Sequence, residues 1–141
     1  MYHGLGNIAT SQGRLEESEN FHRKAVQQWQ STIGDSHHKT ADGYIRVARH
    51  CMRRGAFEEA SSFLTQALTI YKRRSETYRP QVARTLFTQA QLLFQQGSEE
   101  EAVAKYQEAK HLRAQIPWAP KTADATVKQA DFDELLILWG R

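Results

Sequence analysis

The sequence predicts an all-α fold: three stacked helix–turn–helix units followed by a C-terminal capping helix. Three observations carry that prediction. Glycines recur at Gly13, Gly55 and Gly97, a constant interval of 42 residues. The same interval aligns Gly6 with Ala48 and Ala90, Ser18 with Ala60 and Ala102, and Ala25 with Ala67 and Ala109. Apolar residues recur at helical spacing, with no competing alternation, and only three prolines interrupt the 141 residues. Self-similarity at a fixed period of roughly 20–50 residues marks stacked supersecondary units, none of which can bury its apolar face alone.

Each element follows from this frame. Unit one spans about residues 1–38; Tyr2, Leu5 and Ile8 recur three apart on its first helix, and Glu16-Glu17 open its second. Unit two spans about 39–80. Its first helix carries Tyr44, Val47, Ala48 and Cys51 and ends at Arg54-Gly55, where a left-handed residue lets the chain leave the helix. Its second helix places Phe57, Ala60, Leu64, Ala67 and Tyr71 on one stripe. Glu58 and Glu59 suit the positive end of that helix dipole, and Lys72, Arg73 and Arg74 its negative end. Unit three, about 81–116, repeats the pattern with Ala83, Leu86, Ala90 and Leu93, then Ala102, Tyr106 and Ala109. Pro117-Trp118-Ala119-Pro120 breaks the array, giving a linker over 117–122. Val127, Ala130, Leu135, Leu136 and Trp139 then predict a capping helix over 123–141. The recurring small residues are the expected close-approach points: Ala48 against Ala60 within unit two, and Ala67 toward the next unit.

These residues resemble the tetratricopeptide repeat (TPR), whose pattern combines spaced aromatics, Leu-Gly/Ala, Gly, Ala and Pro. Unit one supplies Tyr2, Leu5-Gly6, Gly13, Ser18 and Ala25; unit two Tyr44, Val47-Ala48, Gly55, Ala60, Leu64 and Ala67; unit three Leu86, Ala90, Gly97, Ala102, Tyr106 and Ala109. A TPR usually repeats every ~34 residues. The 42-residue interval resembles the kinesin light chain-like type, which carries a Gly-Asp/Glu-x-His-Pro-x-x-Ala segment between units. Ile33-Gly34-Asp35-Ser36-His37-His38-Lys39-Thr40-Ala41 matches that segment except that His38 stands for proline, and Pro80 restores the proline one period later. Pro80 is expected in the first turn of its helix. The units and the Asp131–Trp139 segment are also similar to C-terminal TPR regions of large fungal signalling proteins. The resemblance implies a right-handed TPR superhelix and a scaffold for protein partners.

Little in the chain suggests chemistry. With 19 Lys and Arg against 16 Asp and Glu, the net charge is +3, too small an excess to imply nucleic acid, and no exposed stripe alternates basic and aromatic residues. The single cysteine, Cys51, forbids an internal disulfide and points to a reducing, cytoplasmic location. It stands where the repeat places a core residue, so we expect a buried, inert thiol. The longest apolar run, Leu135–Trp139, is far short of the ~20 residues that span a bilayer, and no secretory signal pattern opens the chain. No phosphate-binding loop, nucleophile elbow or H-E-x-x-H motif occurs. Of six histidines, only His37-His38 near Asp35 are clustered, readable as metal ligands or as a cap for the following helix; His3, His22, His50 and His111 match no zinc spacing. We therefore expect a non-catalytic protein without cofactor or metal.

The TPR resemblance implies that the first helix of each unit lines a concave groove. On that mapping His3, Asn7 and Ser11 face inward from unit one, with Asp42, Ile45, Arg49, Met52 and Arg53 from unit two and Arg84, Phe87, Gln91 and Phe94 from unit three. Guanidinium groups pair bidentately with carboxylates, so an acidic peptide is the expected guest; a plain solvated helix face is the alternative. Asn7 and Arg84 match the carboxylate clamp of chaperone-binding TPRs, whereas Arg49 and Thr88 depart from it, which disfavours a chaperone C-terminus. A second functional reading is a sensor or self-assembly segment of a larger nucleotide-switched signalling protein. The chain opens inside the first helix of unit one without a polar cap, so we expect Met1 to mark a cut within a longer protein. Tyr2, Leu5 and Ile8 would then form a sticky apolar face, pairing two copies in a two-fold homodimer.

Overall fold

The structure, a computed structural model, describes residues 1–117 and 119. Six α-helices follow one another among them: α1 Tyr2–Ser11, α2 Leu15–Thr32, α3 His38–Arg53, α4 Phe57–Lys72, α5 Arg79–Gln95 and α6 Glu99–Ala114. No strand occurs among the described residues. The expected capping helix, and the linker beyond Pro117 and Ala119, lie outside the described residues.

The turns inside the three pairs are built alike. Gly13, Gly55 and Gly97 have φ of +75°, +81° and +80°, a region a Cβ disfavours. At each turn two amides reach back to carbonyls of the preceding helix. Arg14 N–H donates to the Ala9 carbonyl at 2.9 Å, Ala56 to Cys51 at 2.8 Å and Ser98 to Leu93 at 2.9 Å. One residue earlier, Gly13, Gly55 and Gly97 donate to Thr10, Met52 and Phe94. This Schellman arrangement satisfies carbonyls that a helix end leaves unpaired. Glutamates occupy the first turn of α2, α4 and α6, and Pro80 sits in the first turn of α5, where its missing N–H costs nothing.

The chain divides into two compact units, Met1–Ile70 and the part from Tyr71 onward. In the first, α1 packs on α2 and α2 on α3. Gly43 makes the second contact close: a Cβ there would stand 2.7 Å from Val26 Cγ2. Tyr44 stacks on Phe63 with ring centroids 5.6 Å apart, tying α3 to α4. Ala9, Ala25, Ala41, Ile45, Val47, Ala48, Cys51, Ala60, Leu64 and Ala67 are buried. Burial of a side chain the size of Ile45 or Leu64 contributes about 2–3 kcal/mol, and the alanines let the helices come near enough to provide it. In the second unit α5 packs on α6, with Ala83, Leu86, Ala90, Ala102 and Ala109 buried and Phe87 against Tyr106 at 5.6 Å.

Candidate functional site

Asp42, Arg46, Arg49 and Arg53 stand four, three and four residues apart on α3, hence on one side of that helix. All four reach solvent, Arg53 the most. This side of α3 lies beside α1, because Arg46 Nη1 donates to Asn7 Oδ1 at 3.2 Å. Three guanidiniums thus share a helix face with a single carboxylate, next to an exposed amide. Arg46 is absent from the expected groove residues; its bond to Asn7 sets it beside one of them.

The remaining expected groove residues divide by exposure. Ile45 is fully buried and Met52 nearly so, so they form floor beneath the α3 face and offer a guest almost no surface. In the second unit Arg84 and Phe87 are buried, and Phe87 packs within the α5–α6 pair against Tyr106. Gln91 is half-buried on α5, and Phe94 is 49% exposed. Sequence spacing groups these residues on one side of a helix, but it does not tell how much of that side the neighbouring helix covers. On α1, Leu5 is 38% and Ile8 52% exposed, while Tyr2 is half-buried with Lys24 Nζ 5.8 Å from its ring centre.

Sequence spacing did not reveal a cluster of three histidines. His3, His22 and His50 come together from α1, α2 and α3; ring centroids lie 5.8 Å apart for His3–His22 and 5.1 Å for His22–His50. The hydrogen bonds of His22 and His50 run in one direction. The Arg53 guanidinium can only donate, so its contact to His50 Nδ1 makes that nitrogen an acceptor. A neutral His50 then carries its proton on Nε2 and donates to His22 Nδ1 at 2.9 Å. His22 in turn donates from Nε2 to Asn7 Oδ1 at 3.2 Å, the oxygen that Arg46 also reaches. Ser18, 3.3 Å from His50 Nε2, donates its hydroxyl to the Gly6 carbonyl at 2.9 Å. Burial, then the positive charge of Arg46 and the other two histidines, pushes the His22 pKa down to about 4. Burial and Arg53 do the same for His50, and burial and Arg46 for His3, each to about 4.

The repeat interval held a signal for this cluster. His22 occupies the place of Leu64 and Tyr106, His50 that of Ile8 and Leu92, His3 that of Ile45 and Phe87, and Ser18 that of Ala60 and Ala102. Polar groups have entered positions that are apolar in the other repeats.

Beside the cluster, Glu19 joins Arg23 at 2.9 Å and Arg54 at 3.1 Å, and Arg23 and Arg54 both reach Glu59 on α4. Burial opposes ionisation of Glu19, but hydrogen bonds from Arg54 and Arg23 hold its pKa below the ordinary carboxylate value. Cys51 Sγ donates to Glu59 Oε1 at 2.9 Å, and burial with that carboxylate pushes the thiol up to about 11, which disfavours the reactive thiolate. A cleft of about 460 Å³ opens here, lined by Leu15, Glu16, Glu19, Asn20, His50, Arg53 and Arg54. His37 caps α3, its Nδ1 accepting from Lys39 N–H at 3.1 Å. Among the described residues no group of three or more His, Cys, Asp and Glu is placed to hold a metal ion.

The tetratricopeptide repeat family profile matches residues 1–73 and 43–113. The chain belongs to the tetratricopeptide repeat family. Among solved structures, this TPR chain is similar to BtubC (BKLC) from P. vanneervenii, with a TM-score of 0.76 and 18% identity. The match covers 99% of this chain and 52% of that one, so the TPR chain spans about half the length of BtubC, and the likeness is one of fold. No curated protein sequence matches. TPR arrays are in general non-catalytic scaffolds for protein–protein interaction. None of the described helices is long and apolar enough to cross a membrane.

Proposed function

We propose that this TPR chain is a non-catalytic interaction module that takes an acidic peptide or protein segment on the exposed side of α3. The observation that carries this reading is the charge of that side: Arg46, Arg49 and Arg53 against Asp42 alone, with Asn7 of α1 adjacent. Guanidiniums offer paired donors to carboxylates, and an amide can hold a peptide backbone. Ile45 and Met52 support the face from below.

The test is fluorescence anisotropy with a labelled glutamate- and leucine-rich peptide. Arg49→Glu with Arg53→Glu should abolish binding at low salt while leaving helicity intact, because exposed charge contacts respond first to reversal and screening. Unchanged affinity would move the site off α3.

A second reading has its own support. Leu5 and Ile8 lie on one side of α1 and are exposed, which favours a self-assembly segment, two copies meeting through α1 about a two-fold axis. Tyr2 borders this stripe. Sedimentation should show a dimer that Leu5→Lys with Ile8→Lys converts to monomer; a parent chain that sediments as a monomer at high micromolar concentration rejects this reading.

A further inference from the structure

We propose that the His22–His50 relay is an acid-sensitive latch that holds α1 against α2 and α3 and releases it when an imidazole of the relay takes up a proton. The geometry leaves no room for an extra proton. Every nitrogen of the two rings is committed: His50 accepts at Nδ1 and donates at Nε2, and His22 accepts at Nδ1 and donates at Nε2. Protonating His22 would put an N–H at Nδ1, aimed at the His50 N–H 2.9 Å away; protonating His50 would put one at Nδ1, aimed at the Arg53 guanidinium. Either event sets donor against donor inside the protein, where an unpaired polar group is costly.

The charges around the relay add to this. Arg46 faces His22 and His3 from α3, and Arg53 and Arg54 face His50. Arg23 faces His50 from α2, and the N-terminal amine faces His3. Against them stand Glu19 near His50 and Asp42 near His3, and Glu19 is engaged by Arg23 and Arg54. Glu59, from α4, is engaged by the same two arginines.

α1 is the element such a latch can release. It has ten residues, two of them glycines in its first half, and only Gly6 and Ala9 are buried. With two glycines and so little of its surface buried, the Tyr2–Ser11 segment depends on its docking. Part of that docking is polar: Asn7 accepts from His22, and the Gly6 carbonyl accepts from Ser18. Gly6 also allows the His22 ring to lie against the α1 backbone, since a Cβ there would fall 2.5 Å from two ring atoms. In the other repeats apolar residues fill the places of His22 and His50, so a proton-sensitive joint stands where an insensitive one would serve.

The sign follows from linkage. With α1 docked, the two histidines stay neutral down to about pH 4; releasing α1 exposes the His22 ring to water and lets its pKa return toward the ordinary 6.5, while Arg53, Arg23 and Arg54, none of them on α1, still hold that of His50 down. The docked state is favoured above pH 6.5 and loses ground as pH falls from 6.5 toward 4. Over that window opening grows by up to about tenfold per pH unit for each histidine freed.

The experiment is amide hydrogen exchange of the full chain, corrected for intrinsic rates, between about pH 7 and pH 4.5. We expect α1 amides to lose at least about tenfold in protection, while α4 and α6 keep theirs. His22→Leu with His50→Leu, replacing both rings so that neither is left unpaired, should reduce the loss to the part contributed by His3 of α1, whose pKa is also held down to about 4. Protection of α1 that is unchanged with pH, lost equally in α4 and α6, or lost equally in the variant overturns the latch. Should the variant fail to fold, imidazole NMR titration of the parent decides. Protonation of His22, the ring that touches α1, must coincide with α1 opening, and opening at a different pH rejects the proposal.

Discussion

Gly4 and Gly6 lie two residues apart in α1, and the structure gives them opposite roles. An added Cβ at Gly4 meets nothing within 4 Å, whereas at Gly6 it would stand 2.5 Å from both Cδ2 and Nε2 of His22. Gly→Ala in a helix contributes about 0.5–1 kcal/mol through helix propensity and a less flexible unfolded chain. At Gly4 nothing opposes that gain, so Gly4→Ala should stabilise the protein by about that amount. At Gly6 the imidazole would have to move, and its bonds to Asn7 and His50 hold it. Forcing extra volume into a packed site costs about 1–3 kcal/mol, and each strained or lost hydrogen bond costs about 1 kcal/mol more. After subtracting the propensity gain, Gly6→Ala should destabilise by about 1–3 kcal/mol, roughly 4–10 °C in Tm for a chain of this size. Urea denaturation with matched thermal melts reads both variants. Combining Gly6→Ala with His22→Ala should recover most of the loss attributable to the ring, giving a coupling energy of at least ~1 kcal/mol. Equal stabilisation by the two alanines, or strict additivity with His22→Ala, would show that the His22 ring does not lie against Gly6.

Two further outcomes follow from burial. Ala60→Arg or Ala67→Arg, at fully buried positions, should cost several kcal/mol and unfold the array, because a buried charge without a partner is expensive; a cooperative melt near the parent Tm by circular dichroism would contradict the packing described for α4. Cys51, buried and with its thiol pKa raised to about 11, should react with Ellman's reagent only after denaturation; rapid labelling of the native chain would contradict its contact with Glu59.

The sequence alone determined the helical architecture, because the features that specify it are local. A glycine at a fixed interval, glutamates about one turn later and a small residue directly after them (Ser18, Ala60, Ala102) describe a helix end, a helix start and a close crossing without any long-range information. The φ values at Gly13, Gly55 and Gly97, the place of Pro80 in α5 and the burial of Ala48, Ala60, Ala67 and Cys51 follow from such spacing. The tertiary structure decided which sides of those helices are covered and which residues from different helices meet. Ile45, Met52, Arg84 and Phe87 share helical register with Arg49, Arg53, Gln91 and Phe94 yet are buried, since exposure depends on how each helix is rotated against its neighbours. His3, His22 and His50 are 19 and 28 residues apart along the chain, so no motif spacing links them. Only the docking of α1, α2 and α3 brings their rings together, and only the pairing around His22 and His50 assigns each of those two its proton.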